Sequence, residues 1–321
     1  MSTASEGSTR ALVSMPGLLL LGLLSAALFS SNFVLNRAMS LSGGHWVWSA
    51  SIRYLYTALL LGGWLLCRRG PARMSILLDL FWRKLRFWLL AGGIGYGVFY
   101  ACLCFAADHA PGWVTASSYQ LTILATPVVL RAFGKRVPVQ GILFLALIFL
   151  GIITINAERI LQGIPAGQVL AGVLPAVIAA CTYPVGNQLI SEAKHAGDSD
   201  AAILSDPVVC VFLLTLGALP VLLALIPATM PPPPSREQLI LTAVVALLAG
   251  CLATTLFMFA RNLSADPYRI AAVDATQAGE PVFALLGEMI VLGAPALDLP
   301  SWVGLGAVVG GLLGFSLWQR R

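Results

Sequence analysis

The chain has 321 residues, of which 58% are hydrophobic and only 10% charged, with a mean hydropathy of +0.87; a soluble domain carries about 25% charge. No soluble fold of this length hides so much apolar surface, because burial saturates at roughly 75%, so lipid has to be the remaining solvent. The net charge of +5 comes from bases set between apolar runs, which argues against a nucleic-acid partner and makes them topology signals.

A helix needs about 20 mostly apolar residues to cross a bilayer. The chain predicts about ten such spans, at 13–36, 46–67, 87–107, 113–133, 138–156, 168–190, 202–226, 237–260, 268–291 and 301–318. The expectation is an all-α polytopic membrane protein with short tails at 1–12 and 319–321 and a linker at 157–167. Arg10 and the stretch Leu23–Ala27 imitate a cleaved signal, but the apolar run continues past the candidate cleavage site, so the first span reads as a retained helix. Arg68, Arg69, Arg73, Arg83, Lys84 and Arg86 crowd an expected loop at 68–86, and Pro231–Pro234 reads as a stiff extracytoplasmic spacer. The six cysteines lie in or at the ends of apolar runs without a CxxC pair, and His45, His109 and His195 lack ligand spacing. No disulfide framework, metal or cofactor is expected.

Fifteen of the nineteen Lys and Arg residues fall on the side shared by the two termini, against Arg37, Arg159 and Arg236 on the other and Arg53 within a span. The positive-inside rule then places both termini in the cytoplasm and the chain in the inner (plasma) membrane.

The two halves resemble each other. Ser31–Arg37 (SNFVLNR) matches Thr182–Gln188 (TYPVGNQ) at an offset of 151; Phe105-Ala106 matches Phe259-Ala260 and Pro127-Val128 matches Pro281-Val282, both at 154. Five spans per half is an odd number, so the second copy, 168–318, enters the membrane inverted relative to the first, 13–156. Inverted repeats accompany alternating access, with a site near the repeat interface.

Leu124–Val128 (LATPV) and Gly279–Gly287 (GEPVFALLG) resemble the EamA-like half repeat of the drug/metabolite transporter superfamily. Phe29–Arg37, Tyr183–Asn187 and Ala275–Glu280 (ATQAGE) resemble its ten-helix multidrug resistance efflux branch, and the resemblance covers about 13–319. It implies a transporter but does not specify a substrate. Many such proteins carry Leu-Gly-Glu late in span nine; here Leu292-Gly293 is followed by Ala294, so the role of that glutamate does not carry over.

Ionisable groups inside a membrane are costly and mark functional sites. Span nine has three, Asp274, Glu280 and Glu288, all candidates for proton coupling. At 100° per residue Asp274, Gln277, Pro281 and Glu288 form one stripe, with Glu280 to one side. Pro281 cannot donate, which is expected to free the Gln277 carbonyl and break the helix over a cavity. Arg53 needs a partner: it is expected either to pair with Glu288 or to contact substrate. Asn32, Asn36, Tyr96, Tyr100, Tyr119, Gln120, Tyr183, Asn187 and Gln277 complete the candidate substrate-binding set, although any one of them serves equally as a helix-to-helix hydrogen bond. Asn36 and Asn187, related by the repeat, are expected to cap gates at opposite faces. Aromatic faces suit organic cations.

The leading expectation is secondary export of drugs or lipophilic cations by alternating access, coupled to protons through a span-nine carboxylate. The alternative is an amino-acid or metabolite exporter or facilitator without proton coupling. No GxxxxGK[ST] loop is present for an ATP-driven pump. A membrane-embedded enzyme, a channel or a receptor is the weaker reading. The partners implied are a small-molecule substrate and the bilayer, with the chain a monomer or homodimer.

Overall fold

The computed structural model describes residues 14–134, 142–195, 199–263 and 267–318. The described residues are helical with no strand. Helix α1 (Met15–Leu41) starts at Ser14, whose hydroxyl accepts from the Gly17 amide at 3.3 Å, with Pro16 in its first turn. Helix α2 (Trp46–Arg83) bends sharply at Gly70, where φ is 76° and ψ is 168°, immediately before Pro71. Only glycine takes that conformation without a Cβ clash, and proline cannot continue the ladder behind it.

The segment 68–86, expected as a loop, is therefore largely helical. Past the bend it buries Leu77, Leu80 and Phe81 and leaves Ile76, Asp79, Trp82 and Arg83 outside. That i, i+3, i+4 spacing is an amphipathic helix, which a search for uniformly apolar runs passes over.

Helix α3 (Leu85–His109) contains a π-helical stretch, Leu89–Val98. The predicted span 113–133 consists of two pieces, α4 (Gly112–Tyr119) and α5 (Thr122–Ala132), separated at Gln120-Leu121. Helices α6 (Ile142–Leu161) and α7 (Ala166–His195) follow; the first residues of the predicted span 138–156 lie outside the described residues. A short α8 (Ser199–Leu204) precedes α9 (Pro207–Thr229), which Asp206 caps by accepting from the amides of Val208 and Val209 at 3.0 and 3.4 Å. Helix α10 (Arg236–Arg261) contains a second π-helical stretch, Ala246–Ala253. Helix α11 (Pro267–Ala275) passes through a 3₁₀ turn, Thr276–Gly279, into α12 (Glu280–Val291), and α13 (Leu299–Trp318) ends the described chain.

Among the described residues six helices are long and apolar enough to cross a membrane: α1, α2, α3, α7, α9 and α10. Two other predicted spans, 113–133 and 268–291, are broken in the middle. Helices pack closely where small residues meet. A Cβ added to Gly186 of α7 would lie 2.7 Å from the Gly95 Cα and 2.8 Å from the Ala91 carbonyl of α3, so the two backbones touch there. The main core surrounds Phe33, Tyr54, Tyr100 and Trp113, and a second lies between the bent end of α2, α3 and α9.

Candidate functional site

The bundle encloses a cavity of about 780 Å³. Its mouth is marked by Lys194 and by the Arg261–Asp274 pair, whose side chains are 46% and 41% exposed. Its inner wall includes Arg53 and Gln120, both buried. One wall is aromatic: Phe99 lies 5.0 Å from Tyr183 and 5.5 Å from Tyr119 between ring centroids, Tyr96 lies 5.6 Å from Tyr183, and Phe33 lies 6.4 Å from Tyr119. The rings meet tilted or edge-on, as their quadrupoles favour.

Of the residues singled out in the sequence, Asn32, Arg53, Tyr96, Tyr119, Gln120, Tyr183, Asn187, Asp274, Gln277 and Glu280 line this cavity. Asn36, Tyr100 and Glu288 do not. Asn36 Nδ2 donates to the Tyr100 hydroxyl at 3.0 Å, and the fully buried Tyr100 ring lies 3.9 Å from the Arg53 guanidinium carbon. One turn away, the Tyr96 hydroxyl donates to Asn187 Oδ1 at 2.6 Å. The two asparagines thus brace successive tyrosines of α3 from α1 and α7, whereas gate caps at opposite faces were expected of them.

The carboxylates of the broken span separate into three roles. In a 3₁₀ turn, residues three apart eclipse, so Asp274, Gln277 and Glu280 come to the same cavity wall. The single stripe expected from an unbroken α-helix is not present. The Gln277 carbonyl, expected to be free, accepts from the Glu280 amide, and Gln277 Nε2 donates to Ser25 Oγ at 3.2 Å. Asp274 sits 3.2 Å from Arg261 Nε at the mouth.

Glu280 is 8% exposed and has no hydrogen bond or ion pair to its carboxylate among the described residues. It shares the cavity wall with Tyr119 and Tyr183.

Glu288 is neither a cavity residue nor the partner of Arg53. Its carboxylate accepts from the amides of Gly112 and Trp113, at 2.6 and 3.3 Å, and caps α4. An α-helix leaves its first amides without internal partners and with partial positive charge, and a carboxylate satisfies both demands. Around the same turn Arg37 Nη1 donates to the Ala107 carbonyl at 2.8 Å, and Arg159 Nη2 to the His109 carbonyl at 3.0 Å. These three residues hold the end of the bundle remote from Lys194 and Arg261.

Sequence reasoning missed Thr57, Phe99, Phe257, Lys194 and Arg261 as cavity residues. Phe99 lines the cavity, whereas Tyr100 turns to Arg53 and Asn36. Thr57 was legible as the residue one turn beyond Arg53.

A bundle of membrane-length apolar helices around a polar and aromatic chamber with a solvent-exposed mouth is the architecture of a membrane transporter. The family model described as "EmrE: Putative multidrug resistance efflux transporter" matches residues 17–321, and the chain belongs to that family. It is 32% identical over 311 residues to "Uncharacterized protein YjlA" of Bacillus subtilis (strain 168), covering 92% of this chain and 93% of that protein. It is also 32% identical over 279 residues to an "Uncharacterized 42.1 kDa protein in intracellular alkaline protease 3'region" of Shouchella clausii, covering 82% of this chain and 69% of that one. A solved structure described only as "Crystal structure of protein" shares the fold, with a TM-score of 0.59 at 18% identity, over 95% of this chain and 99% of that one.

Proposed function

We propose that this chain is a secondary transporter that exports small organic molecules through the 780 Å³ cavity by alternating access, in antiport with protons. The observation that carries the reading is Glu280: a buried carboxylate without a partner among the described residues, facing an aromatic chamber. Leaving a charge buried and unpaired costs several kcal/mol. A group that must bind a proton and a cation in turn cannot be committed to a fixed partner.

Two irregularities support ten spans arranged as inverted repeats. The π-helical stretches start at 89 and 246 and end at 98 and 253. The breaks fall at Gln120-Leu121 and at Thr276–Gly279. Both pairs stand close to the 154-residue offset of the proline matches. Such irregular backbone is tolerated at membrane depth where it lines a cavity.

With the basic side in the cytoplasm, the open mouth at Lys194 and Arg261 faces inward and the end held by Arg37, Arg159 and Glu288 is shut. A substrate cation entering from the cytoplasm displaces the proton of Glu280. After reorientation, a proton from outside displaces the cation. An enzyme reading gains nothing from the geometry, because the three carboxylates diverge: Asp274 pairs with Arg261, Glu288 caps α4, and Glu280 has no partner among the described residues.

The test is reconstitution into liposomes with an imposed pH gradient. Proton movement is followed while ethidium, tetraphenylphosphonium and amino acids are added, in the wild type and in Glu280→Gln. Substrate-triggered proton flux that disappears in the variant is expected. Flux that persists in the variant removes Glu280 from the mechanism, and absence of coupled flux with the wild type overturns antiport for these compounds.

A further inference from the structure

Four buried side chains on the cavity wall carry polar atoms without a partner among the described residues: Asn32 Oδ1, Arg53 Nε, Thr57 Oγ1 and Gln120 Nε2. All four residues are more than nine-tenths buried. More than nine in ten buried polar groups in folded proteins are satisfied, so four orphans around one chamber describe the polar complement of a ligand. Three of the four are donors, and Arg53 and Thr57 stand one turn apart on α2.

The state of Arg53 is specific. Its guanidinium lies over the Tyr100 ring at 3.9 Å and near that of Tyr54 at 5.2 Å, and Tyr100 is fixed by Asn36. Beside these rings, the Nε–H of the guanidinium has no partner among the described residues. A guanidinium edge matches a carboxylate in two parallel hydrogen bonds. No carboxylate of a described residue fills that role: Glu288 is held by Gly112 and Trp113, Asp274 by Arg261, and Glu280 makes no ion pair. A chamber shaped for lipophilic cations alone would place a fixed cation in its wall, a like-charge contact that works against binding.

We infer that Arg53, with Thr57 beside it, is an anion subsite, and that the transported compounds are zwitterions with an apolar or aromatic body. The carboxylate binds at Arg53, the body lies along Phe99, Tyr119 and Tyr183, and the ammonium exchanges with the proton at Glu280. The inference rests on the cavity being the substrate path, and it narrows the substrate class within that reading.

The test uses the full chain in detergent and three probes that share one body: phenylalanine, phenethylamine and 3-phenylpropionate. Binding is measured by competition against radiolabelled phenylalanine and by direct calorimetry, for the wild type, Arg53→Gln and Arg53→Lys. Phenylalanine is expected to bind the wild type more tightly than either single-charge probe. Arg53→Gln is expected to weaken phenylalanine and 3-phenylpropionate by roughly 30-fold or more while leaving phenethylamine within about threefold. Arg53→Lys is expected to recover part of the loss, since it keeps the charge without the fork. Retained phenethylamine binding shows that Arg53→Gln is folded.

Phenethylamine binding the wild type as tightly as phenylalanine, an unchanged carboxylate preference in Arg53→Gln, or no carboxylate binding at all overturns the anion subsite. Tight phenylalanine binding without flux in liposomes overturns transport and leaves the subsite standing.

Discussion

Glu288 of α12 accepts hydrogen bonds from the backbone amides of Gly112 and Trp113, at 2.6 and 3.3 Å, and so closes the first turn of a helix far away in the chain. The contact makes this carboxylate a structural pin, in contrast to Glu280 eight residues earlier on the same helix.

Glu288→Ala is expected to destabilise the fold by about 1–3 kcal/mol, the penalty for leaving buried donors unsatisfied. Glu288→Gln keeps an acceptor oxygen and is expected to lose less. The midpoint of thermal unfolding in detergent reads both. An unchanged midpoint for Glu288→Ala would show that the cap contributes nothing.

Glu280→Gln is expected to behave in the opposite way. Its carboxylate has no partner among the described residues, so replacing it by a neutral amide of the same shape removes a desolvation penalty and leaves the unfolding midpoint unchanged or raised. A fall comparable to that of Glu288→Ala would mean that Glu280 holds the fold.

The α3–α7 contact is expected to tolerate no side chain. A Cβ at Gly186 meets the Gly95 Cα at 2.7 Å and the Ala91 carbonyl at 2.8 Å; both are backbone atoms that cannot rotate away. Gly186→Ala should cost about 1–3 kcal/mol in overpacking. It should also move the Tyr96–Asn187 hydrogen bond, which spans the same two helices. Thermal unfolding measures the first effect, and the tyrosine ring environment, by near-UV circular dichroism, the second.

Orientation is expected to follow the bases. In a chain with its native cysteines replaced, a cysteine at Pro232 should react with a membrane-impermeant maleimide added to intact cells. One at Arg73 should react only after the cells are opened. The reverse pattern would turn the open mouth toward the outside and with it the direction of loading.

Much of the helix content was legible because apolar runs and short polar joints are unambiguous in a chain this hydrophobic. The bent end of α2 was not, since its apolar residues occupy only one face and its bases suggest a loop. Ten of the thirteen residues singled out line the cavity, for a simple reason: polar side chains in apolar helices have few places to go.

The partners of those residues were harder to read. Sequence spacing offered Glu288 to Arg53, but the 3₁₀ turn at Thr276–Gly279 changes the period of the helix between Asp274 and Glu288. The amides of Gly112 and Trp113 form an attraction that is invisible in side-chain composition. Pro111-Gly112, a helix start lying between two apolar spans, was the available hint that an acceptor was needed there.

Helix α5 has no fully buried residue. Thr122, Thr126 and Leu130 face the chamber, and Val128 is 70% exposed. With the bilayer around the protein, the outer face of α5 at Val128 meets the acyl chains while its inner face meets the chamber. In the orientation proposed above, the inner leaflet is a reservoir in contact with the chamber wall for a compound with an aromatic body, whose loading then depends on how strongly it partitions into lipid as well as on its concentration in water.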